Sequence, residues 1–309
     1  MILTDLLVIA SRFVEYGGAM ILFGSSLFLL YSRPSAAPIS PPGPVRVKYL
    51  LTCGALGLFI ATALGFLAQT AGLAGSFGAA MAPETLKAVL EMNFGPSSLI
   101  RLLAALIAIF AALWAPPGRG LWLLCCLCGA VACASFSWMG HGAATEGAGW
   151  LLHLAGDILH SLAAAGWIGA LAVYCVLLIK PSQSASEQKA LCVSLAQFSG
   201  VGTALVVVIV GSGLINSFFL VGWNPSAIAH SRYGQVLAAK LIFFAIMLAL
   251  AAANRFRHTP SLALALGNRT SAATEVARLR KSIFSETIIA VGVLALVSWL
   301  GTLAPVTAQ

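Results

Sequence analysis

The run His153-Leu-Ala-Gly-Asp157-Ile-Leu-His160 sets three ionisable side chains into a stretch otherwise apolar enough to cross a membrane. On a helix, positions i, i+4 and i+7 stack along one face. Polar groups in hydrocarbon are costly unless partnered, so such a stripe reads by default as a functional site. Two imidazoles flanking a carboxylate suit metal ligation.

Helix geometry restrains the metal reading. His153 and His160 have Cα atoms about 10.5 Å apart along the axis, and both side chains tilt toward the helix N-terminus. They do not converge on one ion, whose ligand nitrogens lie about 2 Å from it. One histidine is therefore expected to join ligands from elsewhere, and the second to serve a separate or transient site. The loop Trp138-Met139-Gly140-His141-Gly142 can supply the partner. Thioether selects Cu(I) and imidazole serves either oxidation state of copper. Asp157, one turn from each histidine, suits an acceptor that orients an imidazole N–H. The candidate metal ligands are His141, His153 and His160, with Asp157, Met139 and Glu15 in supporting roles. Met139 also reads as packing, and His141 as a solvated loop residue.

Elements able to hold this stripe follow from composition. Residues AVILMFWYC make up 60% of the chain and charged residues only 8%, against about 45–50% apolar in soluble domains; mean hydropathy is +0.97. The expectation is an all-α, polytopic membrane bundle forming one integral-membrane domain over residues 1–309. The net charge of +8 invites a nucleic-acid reading, but most Lys and Arg sit in short loops between apolar runs, where basic excess marks the cytoplasmic face. The N-terminus lacks a basic leader region and small-residue cleavage site, and reads as the first span. Of seven cysteines, Cys125, Cys126, Cys128 and Cys133 cluster in one apolar run; soft thiols bind Cu(I), and small buried cysteines also serve as packing.

Eight segments reach the roughly 20 residues a span requires, near 6–31, 49–75, 97–115, 121–138, 150–179, 190–221, 234–254 and 282–303. Five prolines keep Ser32–Lys48 a loop, Pro116-Pro117-Gly118 is a turn, and Ala82–Met92 reads as a short interfacial helix. Loops after the odd-numbered spans carry most of the cations, among them Arg255, Arg257, Arg278, Arg280 and Lys281. Those loops are cytoplasmic by this count, which places both termini in the periplasm.

Depth then follows from a rise of about 1.5 Å per residue. His153 lies one turn inside the fifth span, Asp157 two, and His160 close to the midplane. Arg12, Glu15, Gln69, Arg101, Asn216 and Lys240 fall in the same outer half, and only Glu286 in the inner half. The expectation is a polar chamber open outward over a drier floor. Arg12 and Glu15 pair with each other or with Arg101, while Arg101 and Lys240 read as structural.

These residues bring a family into view. HLAGDILHSLAAAGWIGALAVY (His153–Tyr174) resembles the His-x3-Asp-x2-His…Trp-x-Gly signature of the CopD/PcoD copper-resistance membrane proteins. Further matches are RFVEYGGAMILFGSSLF, MGHG, YGQVLAAKLIFFAIMLALAAANRF and SETIIAVGVLALVSWLGTLAP, in order along most of the chain. The resemblance implies an eight-span bacterial inner-membrane protein of copper homeostasis, moving copper between periplasm and cytoplasm beside a periplasmic CopC-like copper-binding partner. On it, His141, His153 and His160 fall on the family's motif histidines, with Asp157 and Trp167 beside them. The first span departs from the family's Arg-Phe-x-His-Tyr, carrying Glu15 in the His place.

Two other functions compete. Membrane histidines can hold b-type haem, here with His153 or His160 as one axial ligand and Met20 or Met247 completing it, since His230 and His258 read as loop residues. A non-transporting copper-transfer scaffold for periplasmic partners is the other. No nucleophile–base arrangement suggests an enzyme, and the absence of a Gly-x4-Gly-Lys-Ser/Thr loop argues against ATP drive within the chain.

Overall fold

The computed structural model describes residues 2–32, 43–139, 149–179, 184–222, 229–268 and 272–308. Eight helices are long and apolar enough to cross a membrane: α1 Leu3–Tyr31, α2 Val45–Ala74, α3 Phe94–Trp114, α4 Arg119–Met139, α5 Trp150–Ile179, α6 Ser186–Val221, α7 Arg232–Gly267 and α8 Ala273–Leu300. No strand occurs among the described residues. Helices satisfy every backbone group within one segment, as hydrocarbon demands.

Two short helices, Phe77–Ala80 and Pro83–Glu91, join α2 to α3. Ser76 Oγ caps the first by accepting from the Ala79 N–H, and Pro83 opens the second where its missing N–H costs nothing. The second matches the interfacial helix expected from the sequence.

α1 to α4 pack as neighbours in one half, and α5 to α8 in the other; α1 crosses into the second half to lie against α5 and α8. Small residues make that crossing possible. A Cβ on Gly24 would strike the Ala165 carbonyl, one on Gly169 would strike Gly24, and one on Gly129 would strike the backbone of Phe23. Backbones touch where glycines meet, and dispersion contacts then hold helices that no hydrophobic effect drives together in lipid. Ser25 Oγ adds a hydrogen bond to the Gly169 carbonyl at 3.1 Å. At this contact α1 takes a π-helical turn, Ile21–Ser25.

Three boundaries differ from the sequence reading. Arg46 and Lys48 lie in the first turns of a helix that begins at Gly43, not in the Pro-rich loop. α7 does not end at Asn254: a π turn, Asn254–His258, carries it into Thr259–Gly267. Arg255, Arg257 and His258 are therefore helical residues rather than loop residues. α8 begins nine residues before the expected start at 282, at Ala273, so Arg278, Arg280 and Lys281 ride on the helix. In each case a polar, basic stretch masks a helix continuing past the apolar limit.

Candidate functional site

α5 carries the histidine stripe as one unbroken helix, and its small residues decide what can approach. Gly156 faces Ile215 and Asn216 of α6, and His160 Cε1 stands 3.4 Å from where a Cβ on Gly213 would lie. The stripe therefore packs closely on α6 at two points, and the rest of its face borders open space. The result is a cavity of about 240 Å³ lined from six helices. His153, Asp157 and His160 all face it, together with Tyr16 and Met20 of α1, Ser137 of α4, Asn216 of α6, and Tyr233 and Lys240 of α7.

Within it the three residues are held differently. His153 is buried, 1% exposed, and its ring stacks on Phe219 with centroids 4.7 Å apart and planes 9° from parallel. His160, one helical turn beyond Asp157, has Nδ1 3.2 Å from both the Ile209 carbonyl and Ser212 Oγ. Ser212 Oγ itself donates to the Val208 carbonyl at 2.5 Å. With its single proton so committed, Ser212 can accept from an Nδ1–H, which leaves Nε2 as the free lone pair. Asp157 Oδ1 accepts from Asn216 Nδ2 at 3.1 Å; Asp157 orients toward α6 and not toward either imidazole by any described bond.

The supporting candidates are placed elsewhere. Glu15 Oε2 lies 3.7 Å from Arg101 Nη1 in a pair whose side chains are 5% and 1% exposed. Arg101 also donates to Ser98 Oγ at 3.2 Å, touches the Met139 sulfur and stacks over the Phe136 ring, 4.5 Å from its centroid. Glu15 and Met139 thus gather around one guanidinium, apart from the histidine cavity. Arg12 pairs with neither: its guanidinium donates to the Gly301 carbonyl. His141 lies outside the described residues. Among the described residues, no group of three or more His, Cys, Asp and Glu side chains is close enough to hold one ion. Cys125, Cys126, Cys128 and Cys133 are buried packing residues of α4 with free thiols.

The far end of the bundle is not the dry floor expected. Glu286 of α8 accepts from Trp167 Nε1 at 2.8 Å and from Asn254 Nδ2 at 2.8 Å. Beside it lies a second cavity of about 220 Å³ between α5, α6, α7 and α8. The sequence reading missed Asn254 because it stands where the apolar run of α7 stops and the basic residues begin. Asn216 was visible as a polar residue, but its pairing with Asp157 needed the α5–α6 packing.

Comparison with known proteins places this arrangement. Residues 3–154 match the model of the copper resistance protein D-like N-terminal domain, and residues 193–300 match that of copper resistance protein D. The chain is 36% identical over 307 residues to copper resistance protein D of Pseudomonas syringae pv. tomato, covering 97% of each. It is 27% identical to the inner membrane protein YebZ of Escherichia coli (strain K12), over 82% of this chain and 85% of that one. It is 29% identical to the copper transport protein CutJ of Bacillus subtilis (strain 168), over 79% of this chain but 45% of the longer relative. No solved structure matches. The eight apolar spans and these relatives make it a multi-pass inner-membrane protein. With both domain models matched in order and the similarity to one relative running nearly end to end, the chain belongs to the copper resistance protein D family.

Proposed function

We propose that this protein binds copper from the periplasmic side of the inner membrane, in the cavity along α5, and moves it inward as cargo. The observation that carries the reading is that His153, Asp157 and His160 line one membrane cavity. Imidazole nitrogens are good copper donors in either oxidation state. The uncommitted Nε2 of His160 and the imidazole of His153 are the ligands, used in succession, with His141 as a further candidate ligand. Asp157 supplies negative charge beside the path, and Lys240 limits how much positive charge the cavity accepts. The role is that of a carrier, not an enzyme; a periplasmic copper-binding protein of the CopC type delivers the ion, and the bilayer is its other partner. The names of the Pseudomonas and Bacillus relatives support the copper assignment.

A haem b reading keeps one specific support: Met20 lines the same cavity as His160, so a His–Met axial pair has both its donors there. Met247, the other methionine considered, does not line that cavity. Copper and iron per chain, measured together by inductively coupled plasma mass spectrometry on protein in detergent, separate the two readings. We expect copper near stoichiometric levels with negligible iron, and its loss in His153→Ala and His160→Ala. Stoichiometric iron without copper would transfer the protein to the haem class. Unchanged copper in both variants would remove the α5 histidines from the site.

A further inference from the structure

The second cavity surrounds a carboxylate with no evident counter-charge. Glu286 is 3% exposed, and both of its oxygens are held by neutral donors, the Trp167 indole and the Asn254 amide. The ion pairs formed among the described residues are Arg101–Glu15 and Arg278–Glu275, so Glu286 belongs to none. Arg255 lines the same cavity, but its guanidinium donates to Thr203 Oγ1 and the Ser199 carbonyl of α6. The other titratable groups nearby are Tyr174, which lines the cavity, and Cys175, whose sulfur is 3.2 Å from Thr287 Oγ1. A lone carboxylate at membrane depth is retained for a purpose or neutralised, and a cation is what neutralises it.

Asn254 tells which cation. Its Nδ2 serves the carboxylate, while its buried Oδ1 has no hydrogen-bond partner. A half-turn of that amide would present Oδ1 to Glu286 instead. An acceptor there is useless to a carboxylate but suits a carboxylic acid, which has an O–H to donate. The pair thus has a matched hydrogen bond for each protonation state. Besides one carboxylate and one amide oxygen, the side-chain oxygens lining the cavity are the neutral hydroxyls of Tyr174, Ser199, Thr203 and Thr259, whereas hard ions take six or more oxygens, with carboxylates prominent among them.

We propose that Glu286 is a proton-binding site of this protein, with Asn254 as its two-way partner and Trp167 as its reporter to the rest of the bundle. A hydronium ion entering the cavity transfers its proton to a Glu286 oxygen and leaves as water; no other bond is made or broken. Protonation weakens the acceptor for Trp167 Nε1. Trp167 walls this cavity, while Ala164 and Ile168, close to it along α5, wall the histidine cavity. Its ring also meets Phe244 edge to face at 6.1 Å. The indole therefore walls the proton site on the same helix segment whose neighbouring residues wall the histidine cavity, placed to link proton binding to opening. That coupling rests on the copper reading; the proton site does not.

The test needs no copper. Protein in lipid nanodiscs is titrated with acid while infrared difference spectra follow the carboxylic C=O stretch and fluorescence follows tryptophan emission. We expect a protonated-carboxyl band that is absent from Glu286→Gln and retained in Glu15→Gln. An emission change at the same midpoint should vanish in Trp167→Phe. Asn254→Ala, which keeps the carboxyl, should move the midpoint. If wild-type protein shows no band sensitive to Glu286→Gln anywhere in the range where carboxylic acids and histidines titrate, the proposal fails. It fails equally if the signals follow Na+ and not pH. Should Glu286→Gln not fold, Asn254→Ala and Trp167→Phe decide the matter, and an unmoved midpoint with an unaltered emission change overturns the assignment. Failure on any of these grounds leaves the metal content of the α5 cavity untouched, so the two readings stand or fall separately.

Discussion

Glu15 shows how a single side chain can be read two ways until its neighbours are known. Its place in a family motif that often carries histidine suggests a ligand; its partner in the fold, Arg101, is a buried cation 3.7 Å away. Removing one member of a buried pair leaves the other charge uncompensated, which costs about 3–5 kcal/mol. Glu15→Gln is therefore expected to lower thermal stability in detergent strongly while leaving copper per folded chain unchanged. Glu15→Gln with Arg101→Met should recover much of the loss, because an apolar replacement of the whole pair is often tolerated. Loss of copper from folded Glu15→Gln protein would return the residue to the metal site. At this scale the sequence was most informative about α5: types and spacing alone put His153, Asp157 and His160 on one stripe, and the structure places all three on one cavity. What it could not reveal were partners on other helices. Asn216 for Asp157, Ser212 for His160 and Asn254 for Glu286 depend on rotation and register between helices, which no single-helix period encodes.

Among the elements, α1 bears the most unusual constraint, since it must touch both α4 and α5 at backbone distance. Gly24, Gly129 and Gly169 meet there, and α1 is π-helical at the contact. π turns inside α-helices commonly mark functional sites, and this one follows directly on Met20, which lines the histidine cavity. Gly24→Ala should force α1 away from α5, with an overpacking cost of about 1–3 kcal/mol or more and weakened copper retention. Gly72 is the control, with nothing within 4 Å of an added Cβ. Gly72→Ala should be neutral or stabilising, by up to about 1 kcal/mol, from helix propensity. Equal melting temperatures for the two variants would show that the crossing tolerates a wider separation of α1 from α5. Hydropathy located all eight spans because each has a long apolar centre. It misplaced the basic end of α7 because Asn254-Arg-Phe-Arg-His258 has the composition of a loop, while the π turn through it keeps the chain helical.

For the whole molecule, the organising fact is a pair of cavities at different depths along α5, one with imidazoles and one with a carboxylate, with Trp167 walling the second. On the carrier role proposed above, transport between two compartments needs such asymmetry, and its direction depends on which end of α5 faces the periplasm. The basic residues decide that. Arg278, Arg280 and Lys281 lie at the start of α8, and Arg255 and Arg257 at the far part of α7, at the Glu286 end of the bundle. Excess Lys and Arg near span ends faces the cytoplasm, so the histidine cavity should open toward the periplasm and both termini should lie there. The eight candidate spans among the described residues, an even number, would set the two ends of the chain on one side, which makes a single fusion informative. Alkaline phosphatase joined after Gln309 should be active, since it folds only outside the cytoplasm, and green fluorescent protein at the same position should stay dark. The reverse result would turn the bundle over: the α5 histidines would then meet copper from the cytoplasm, Glu286 would meet protons from the periplasm, and the same two cavities would describe an exporter.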